Sequence, residues 1–290
     1  MDQASLHSFI QVAKERSFSR AAEKLHITQP AISKRIANLE QELNCQLFDR
    51  IGKDIQLTNS GRLFLHHASK LLEAMDDCIT ALHNLDNSIS GELRLGVSHH
   101  IGLHRLPPYL RKFSQQYPRV QLKISFVDSE KAYQMVNNGE LEVALATLAP
   151  EHKLHIEQKC VWNDPLTFMV SDDHKLAYIN QRRPLQLTDL AEHPAILPGK
   201  DTYTGQLIQQ HFHQEKIAIS HFIETNYLET IRMMISIGLG WAVLPRTMLN
   251  NQLRGLNIEN TSLHRKLGYI HHTSRTLSNA SKAFIATISD

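Results

Sequence analysis

The chain has 290 residues, enough for two or three compact domains of about 100–150 residues each. Its 31 Lys and Arg against 29 Asp and Glu give a formal charge of +2, too small to indicate nucleic-acid binding by itself. Its 3 cysteines lie far apart and do not suggest a disulfide framework. The sequence shows neither a signal-peptide pattern nor an apolar run of about 18 residues, so we expect a soluble, cytoplasmic protein rather than a secreted one.

The first predicted elements are two short amphipathic helices. Residues 3–14 have one apolar face that can pack against the two helices that follow. In the second helix we expect Ser19 to be the N-cap, and Ala21 and Ala22 to form a small apolar face. Residues His26 and Ile27 then make a tight turn to a third helix.

The third helix has a polar face near its beginning. Thr28 is its predicted N-cap, and Pro30 lies in the first turn, where its missing N–H costs nothing. A core-facing apolar stripe consists of Ile32, Ile36, Leu39 and Leu43. The opposite face carries Gln29, Ser33, Lys34 and Arg35. Donors and cations at the N-terminal end with apolar anchors behind them are typical of a DNA recognition helix. An ordinary helical hairpin with a solvated basic face is the alternative.

A β-hairpin is predicted after the third helix. Apolar pairs flank the segment from Arg50 to Asp54, and Gly52 supplies the backbone freedom of a tight turn. Arg50 and Lys53 are placed to meet phosphate groups, which would position the unit on DNA without reading its sequence. A charged hairpin tip that is merely solvated is the alternative.

These N-terminal motifs resemble the winged helix-turn-helix of LysR-type transcriptional regulators. The resemblance is specific over residues 1 to about 60, because it combines the small pair Ala21-Ala22, the cap sequence from Thr28 to Ala31 and the following segment from Leu47 to Arg50. Over the other residues it rests on length and element order. It implies a DNA-binding domain over residues 1–58. Its DNA-binding residues would be Ser19, Thr28, Gln29, Pro30, Ala31, Ser33, Lys34, Arg35, Arg50 and Lys53.

A long helix is predicted from an N-cap at Thr58 to about residue 87. Its apolar residues recur in heptads, and at about 1.5 Å per residue it is too long for a 60-residue domain to cover. We therefore predict a linker over residues 59–89 that dimerises, as the resemblance also implies, with packing on its own chain as the alternative. The predicted dimerisation residues are Phe64, Leu71, Met75, Leu82 and Leu85. Two recognition helices would then read a pseudo-palindromic site. The resemblance favours a tetramer built as a dimer of dimers.

From residue 90 strands and helices alternate, which predicts open, mostly parallel sheets with helices on both faces. The resemblance implies an effector-binding domain over residues 90–290 made of two α/β subdomains, like a periplasmic binding protein. Subdomain I would span about 90–162 and 266–290, and subdomain II about 163–265. The chain would cross between them near residues 160–165 and 263–267.

A small-molecule effector is expected beyond the carboxyl ends of the strands. The resemblance implies a cleft there that binds an inducer, often a carboxylate, with Ser98 and Thr147 donating hydrogen bonds. His99 or His100 would be a charge partner or a pH-sensitive contact, although histidines depart from the small hydroxyl residues common in the family. The candidate residues are Ser98, His99, His100, Ser129, Thr147, Pro198, Gly199, Lys200, Thr225 and Asn226.

No cofactor is predicted, and none of the histidine pairs among the 18 histidines has a metal-site spacing. We therefore predict a sequence-specific transcriptional regulator, modulated by a small molecule and not an enzyme. A constitutive DNA-binding protein without ligand is one alternative. An α/β enzyme with a fused DNA-binding domain is another, although no glycine-rich phosphate loop or nucleophile motif accompanies it.

Overall fold

The computed structural model describes residues 1–51, 54–86, 88–219 and 222–289, with residues 50, 51 and 54 described by their backbone alone. The chain forms two compact units, Met1–Asp86 and Asn87–Asp290, and each has its own hydrophobic core. In the described ranges no helix is long and apolar enough to cross a membrane.

The first unit is a three-helix core followed by a hairpin and a long helix. Its elements are α1 (Gln3–Glu15), α2 (Phe18–Lys24), α3 (Gln29–Leu43), β1 (Phe48–Ile51), β2 (Asp54–Leu57) and α4 (Asn59–Asn84). Phe9 of α1 is fully buried, with its ring 5.2 Å from Phe48 and 4.9 Å from Phe64. These aromatic contacts join α1 to the hairpin and to α4, so one core holds all the elements in place.

The structure confirms the predicted N-cap of α3 and contradicts the predicted N-cap of α2. Thr28 is confirmed as the N-cap of α3, because its side chain accepts a hydrogen bond from the Ala31 N–H at 3.4 Å. The prediction for α2 was wrong: Ser17 is the cap and accepts from the Arg20 N–H at 3.3 Å, while Ser19 lies inside the helix. Ser17 has the extended backbone that a cap needs, and Phe18 must be helical to reach the core. Leu43, expected in the buried stripe, is 36% exposed.

The predicted hairpin is confirmed. β1 and β2 pair antiparallel from Phe48 opposite Leu57 to Ile51 opposite Asp54. The Glu40 carboxylate accepts hydrogen bonds from the backbone N–H groups of Leu47 and Phe48 at 2.7 and 3.2 Å, which ties the hairpin to α3. Gly52 and Lys53 lie outside the described residues, as does the side chain of Arg50.

Helix α4 begins as predicted, with Thr58 accepting a hydrogen bond from the Gly61 N–H at 2.8 Å. Gly61 is needed there, because a Cβ would lie 2.0 Å from the carbonyl oxygen of Leu47. Ala68 and Leu72 pack into the unit's own core, whereas apolar side chains further along remain uncovered. The exposed apolar residues in the second half of the helix and just after it are Leu71, Met75, Ile79, Leu82 and Leu85.

The second unit alternates strands and helices. Its first half contains β3 (Gly91–Val97), α5 (His99–His104), α6 (Pro107–Gln116), β4 (Val120–Phe126), α7 (Ser129–Asn137), β5 (Val143–Thr147) and β6 (Ile156–Ser171). Its second half contains α8 (Lys175–Arg182), α9 (Leu187–Ala191), β7 (Ala195–Leu197), α10 (Tyr203–Gln214), β8 (Phe222–Glu224), α11 (Leu228–Ser236), β9 (Ala242–Pro245), a 3-10 turn (Arg246–Met248), β10 (Leu253–Leu256), β11 (Leu263–His272) and α12 (Asn279–Ser289).

The expectation of mostly parallel sheets was wrong. In the sheet of seven described strands, β3 pairs parallel with β4 and β5, but β11 pairs antiparallel with β5 and β6, and β6 antiparallel with β9 and β10. The cause lies at the predicted crossings. Residues 160–165 and 263–267 are parts of two long strands, β6 and β11, that run side by side in opposite directions. Sequence patterns of separate short strands do not show that a crossing segment is itself a strand of the sheet.

Two lobes lie along these long strands, each with its own apolar clusters. The first lobe contains β3, β4, β5, α5, α6, α7 and α12, and its core includes Leu95, Phe113 and Phe284. The second lobe contains β7 to β10 and α8 to α11, and its core includes Phe212 and Trp241. The exact subdomain boundaries given by the sequence stay a prediction.

Candidate DNA-binding surface and effector cleft

The N-terminal end of α3 presents a polar surface. Gln29 and Lys34 are exposed and Ser33 is half-buried, while Ile32 and Ile36 on the other side are in the core. The Gln29 side-chain amide donates a hydrogen bond to the Ser33 hydroxyl at 2.9 Å, so these two groups form one exposed unit of donors and acceptors. An amide and a hydroxyl held together in this way can read base edges in a major groove.

The other residues predicted to contact DNA differ in exposure, and one of them faces the interior. Thr28 and Pro30 are exposed at the start of α3, and Ala31 is half-buried beside them. Ser19 is exposed but lies inside α2. Arg35 faces inward, since its guanidinium donates to the hydroxyl of Ser8 at 3.3 Å in α1. The structure therefore gives Arg35 a role in joining α1 to α3.

In the second unit a cleft of about 70 Å³ lies where the two lobes meet. The first lobe contributes the ends of strands and the first turns of α5 and α7 to its walls. The second lobe contributes the segment after β7 and the first turns of α10 and α11. Its lining residues are Ser98, His99, His100, Asp128, Ser129, Glu130, Thr147, Pro198, Thr202, Thr204, Asn226, Leu228 and Arg265.

Most of the predicted effector residues line this cleft, and three do not. Gly199 is buried and donates its N–H to the Asn226 side chain at 3.0 Å. Thr225 donates its N–H to the carbonyl of Leu197 at 3.2 Å, and the exposed Lys200 has its ammonium 5.5 Å from the ring of Phe222. These three residues shape or flank the segments that carry the cleft.

Ser129 lines the cleft as the first residue of α7, whose N-cap is Asp128. Its hydroxyl accepts a hydrogen bond from the Thr147 N–H at 2.9 Å and so fixes the end of β5 to α7. Because that hydroxyl is engaged within the protein, Ser129 positions the cleft wall.

Sequence patterns missed a cluster of charged residues, of which Arg265 lines the cleft. Asp164 of β6 is fully buried, and its carboxylate accepts hydrogen bonds from Arg265 at 2.8 Å and Arg105 at 3.1 Å. Arg265 is 6% exposed and also donates to the Thr204 hydroxyl at 3.2 Å. Its Nη2 atom has no hydrogen-bond partner within the described ranges. Alternation along β11 was the available signal, since Arg265 shares the buried side with Leu263 and Leu267.

His100 was one of two candidates for a charge partner, and its surroundings do not suit a charged imidazole. It lies inside α5, a helix that the sequence did not predict, and is 8% exposed. Burial, and then the positive charge of Arg265, lower its pKa to about 3. His100 is therefore neutral at pH 7, so its 3.8 Å separation from the Asp164 carboxylate is not an ion pair. Both of its ring nitrogens lack a hydrogen-bond partner among the residues described.

Helix α10 begins unusually close to the segment before it. Thr202 caps the helix by accepting a hydrogen bond from the Gly205 N–H at 3.0 Å and by donating to the Gly199 carbonyl at 2.7 Å. A Cβ at Gly205 would lie 2.0 Å from the Gly199 carbonyl oxygen, so only glycine permits this approach. The close contact brings the N-terminus of α10 into the cleft.

Within the described part of the chain, no group of three or more His, Cys, Asp or Glu side chains is placed to hold a metal ion. The cleft instead combines one arginine with an unpartnered N–H group, neutral imidazole nitrogens, hydroxyls and helix N-termini. These groups suit an oxyanion.

A helix-turn-helix unit followed by a two-lobed unit with a polar cleft defines a DNA-binding protein that also binds a ligand. Residues 4–62 match the family model described as bacterial regulatory helix-turn-helix protein, lysR family, and residues 86–290 match the LysR substrate binding domain. The chain belongs to the LysR family of transcriptional regulators. It is therefore a DNA-binding transcriptional regulator with an effector-binding domain.

Individual proteins agree with this assignment. A probable RuBisCO transcriptional regulator of Cyanidioschyzon merolae is 30% identical over 96% of this chain and 94% of its own length. An uncharacterized HTH-type transcriptional regulator of Azotobacter vinelandii is 56% identical over 108 residues, which are 37% of this chain and 75% of that one. Among solved structures, a full-length OxyR variant from Pseudomonas aeruginosa has a TM-score of 0.71 and 22% identity, with 99% of this chain and 94% of that one covered. This last likeness shows the fold.

Proposed function

We propose that α3 reads a pseudo-palindromic promoter site, with Gln29 and Ser33 contacting base edges and Lys34 contacting phosphate. The observation that carries this proposal is the exposed Gln29–Ser33 pair at the N-terminal end of a helix whose other side is buried. Thr28, Pro30 and Ala31 would approach the backbone of the DNA at the helix N-terminus. Arg50 and Lys53 stay candidates for phosphate contacts from the wing.

The proposed readout separates two kinds of mutant. We expect Ser33→Ala to weaken binding to the preferred site by about 1–3 kcal/mol while leaving binding to random DNA unchanged, because it removes a base contact. We expect Lys34→Ala to weaken binding to every sequence and to reduce the slope of log K against log salt by about 0.9. Footprinting and fluorescence anisotropy at several salt concentrations, on DNA upstream of the protein's own gene, would measure both effects.

Thr80→Ala, on α4, is the control and should bind like the wild type. Equal losses on specific and random DNA for Ser33→Ala would contradict its role in base readout. An unchanged salt slope for Lys34→Ala would contradict its phosphate contact. Because one relative is named a RuBisCO transcriptional regulator, a RuBisCO promoter is a second DNA to include.

We propose that two chains dimerise through α4. The uncovered side chains of Leu71, Met75, Leu82 and Leu85 carry this proposal. Phe64 is half-buried by its own unit and packs on Phe9, so we assign it a smaller part of the proposed interface than the exposed residues. We also propose a tetramer built from two such dimers. Separately, we propose that the protein is cytoplasmic.

We propose further that the cleft binds a small oxyanion effector and that the chain catalyses no reaction. The unpartnered Nη2 of Arg265, within a residue that is 6% exposed, supports an anionic ligand. Ser98 makes no capping hydrogen bond at the start of α5, which leaves its hydroxyl available for the ligand. Thr147 and Asn226 would complete the polar contacts from the two lobes.

Thermal unfolding with a panel of small carboxylates and phosphate esters would test the effector site. We expect at least one compound to raise the Tm of the wild type, and the shift to disappear in a Ser98→Ala, Thr147→Val double mutant. Ser114→Ala, at an exposed position of α6, should keep the full shift. A compound that stabilises the double mutant as strongly as the wild type would place the effector elsewhere, and a constitutive DNA-binding protein would respond to none.

A further inference from the structure

A carboxylate of the protein itself occupies the N-terminus of α10. Glu130, the second residue of α7, accepts a hydrogen bond from the backbone N–H of Tyr203 at 2.6 Å. Tyr203 is the first residue of α10, so this N–H has no partner within the helix. The contact is therefore a carboxylate bound at the positive end of a helix, which is the usual position for an anionic ligand.

Glu130 holds this position against opposing forces. Burial raises its pKa above the ordinary value for glutamate, and the negative charges of Asp128 and Asp201 raise it further. Hydrogen bonds from the Tyr203 N–H and from its own backbone act in the opposite direction. The charged carboxylate is thus stabilised mainly by the end of α10, and little else compensates for its partial burial.

The Glu130 contact joins the two lobes. Helix α7 is anchored in the first lobe by Ala132 and Val136, and α10 is anchored in the second by Ile208 and Phe212. Beside the hydrogen bond, the ring of Tyr133 in α7 packs edge-on against the ring of Tyr203 at 5.5 Å. Breaking the Glu130 contact would remove one of the bonds that hold the lobes together across the cleft.

An independent observation shows that this end of the cleft is suited to an external anion. Arg265 donates from Nη1 to the hydroxyl of Thr204, the second residue of α10, and its Nη2 lacks a partner within the described ranges. Arg265 is 6% exposed, lines the same cleft as Glu130, and so places an unsatisfied positive group near the α10 N-terminus. The buried guanidinium and the helix end together form an anion site, half of which Glu130 already fills.

We propose that Glu130 is an internal competitor of the effector: its carboxylate occupies the α10 N-terminus in the unliganded chain, and an effector oxyanion displaces it. This inference rests on the proposed anionic effector and adds the event that couples binding to movement of the lobes. A ligand that replaces Glu130 removes a bond between the lobes and supplies its own contacts to α10. The apparent effector affinity is the intrinsic affinity multiplied by the fraction of chains in which Glu130 has left the site.

The test measures binding of inorganic phosphate and of acetate to the full-length protein by calorimetry at pH 7. We expect Glu130→Gln and Glu130→Ala to bind at least one of these anions about tenfold more tightly than the wild type, because the competing charge is gone. Asp201→Asn is the matched control, since Asp201 is an exposed carboxylate whose negative charge also acts on Glu130 but whose side chain is not part of the cleft lining. We expect it to change the affinity less than threefold.

A second readout separates displacement from simple repulsion. In protein labelled with ¹⁵N only at its 7 tyrosines, the Tyr203 amide signal should move on Glu130→Gln substitution and, in the wild type, on addition of the bound anion. Equal gains for Asp201→Asn and Glu130→Gln, with no movement of the Tyr203 signal, would mean repulsion only and overturn the proposal. Weaker binding in Glu130→Gln would also overturn it.

The experiment distinguishes this inference from the proposed effector site. If neither anion binds any variant, the α10 N-terminus is not an anion site and the displacement mechanism fails. The effector cleft would still be tested separately, by thermal unfolding of the Ser98→Ala, Thr147→Val double mutant with the panel of small carboxylates and phosphate esters.

Discussion

Replacing Met75 and Leu82 together by aspartate is expected to leave the chain folded and to lower its affinity for a dyad-symmetric DNA site by about 10²–10⁴-fold. The two side chains are 41% and 60% exposed, so the folded chain loses little by their replacement. In a dimer they would lie one heptad apart on the same face of α4, and each aspartate would place an unpaired charge against apolar side chains. A separated chain binds DNA through a single recognition helix, so the gain in affinity from two linked recognition helices is lost.

Sedimentation measurements of the double mutant, together with anisotropy on DNA carrying one or two half-sites, would check this result. Thr80→Asp is the matched control, because at about 100° per residue it places the same charge on the opposite side of α4. We expect it to remain a dimer with wild-type affinity. A double mutant that stays dimeric at micromolar concentration would show that another surface holds the chains together.

Asp164→Asn is expected to lower the free energy of unfolding of the C-terminal unit by about 3–5 kcal/mol. The substitution keeps the shape of the side chain but removes the carboxylate that pairs with both Arg265 and Arg105. Arg265 would then keep its charge in a buried position, with the Thr204 hydroxyl as its described hydrogen-bond acceptor. Removing one partner of a buried pair costs more than the pair itself contributes, because the other charge is left without compensation.

Urea unfolding followed by tryptophan fluorescence would isolate this effect, since both tryptophans, Trp162 and Trp241, lie in the C-terminal unit. Asp172→Asn is the control: it breaks an ion pair with Arg254 in which both side chains are more than half exposed. We expect that change to cost less than about 1 kcal/mol. Similar losses for the two mutants would show that the buried cluster is not the stronger contribution.

The features that the sequence predicted well depend on local signals. Thr28, Pro30 and the stripe through Ile32, Ile36 and Leu39 define α3, because cap chemistry and helical periodicity are encoded within one stretch of chain. Strand β3 and the buried β5 were also recognisable from alternation and from a continuous apolar run. Most of the effector residues that we expected beyond the carboxyl ends of the strands do line the cleft.

The features that were missed depend on contacts between distant residues. Asp164 and Arg265 are 101 residues apart, and nothing local shows that their charges neutralise one another. Helix α5 is short and follows a strand directly, so His99 and His100 looked like loop residues. The choice of Ser17 over Ser19 as a cap depends on Phe18 reaching the core, which is a property of packing. The antiparallel part of the sheet likewise depends on the pairing of β6 with β11.

The pairing of β6 with β11 also determines how the lobes can move. Both passages of the chain between the lobes lie next to each other in one hydrogen-bonded ladder, so the lobes cannot turn independently about two separate hinges. A rotation of one lobe must twist this two-stranded ribbon along its length. The register shift between Leu267 and Gly268 interrupts the ladder midway, and Gly268 lies so close to Lys159 that a Cβ would be 1.9 Å from its carbonyl oxygen. Since a bulge already has a strong twist and fewer ladder bonds, torsion between the lobes is concentrated at this one step.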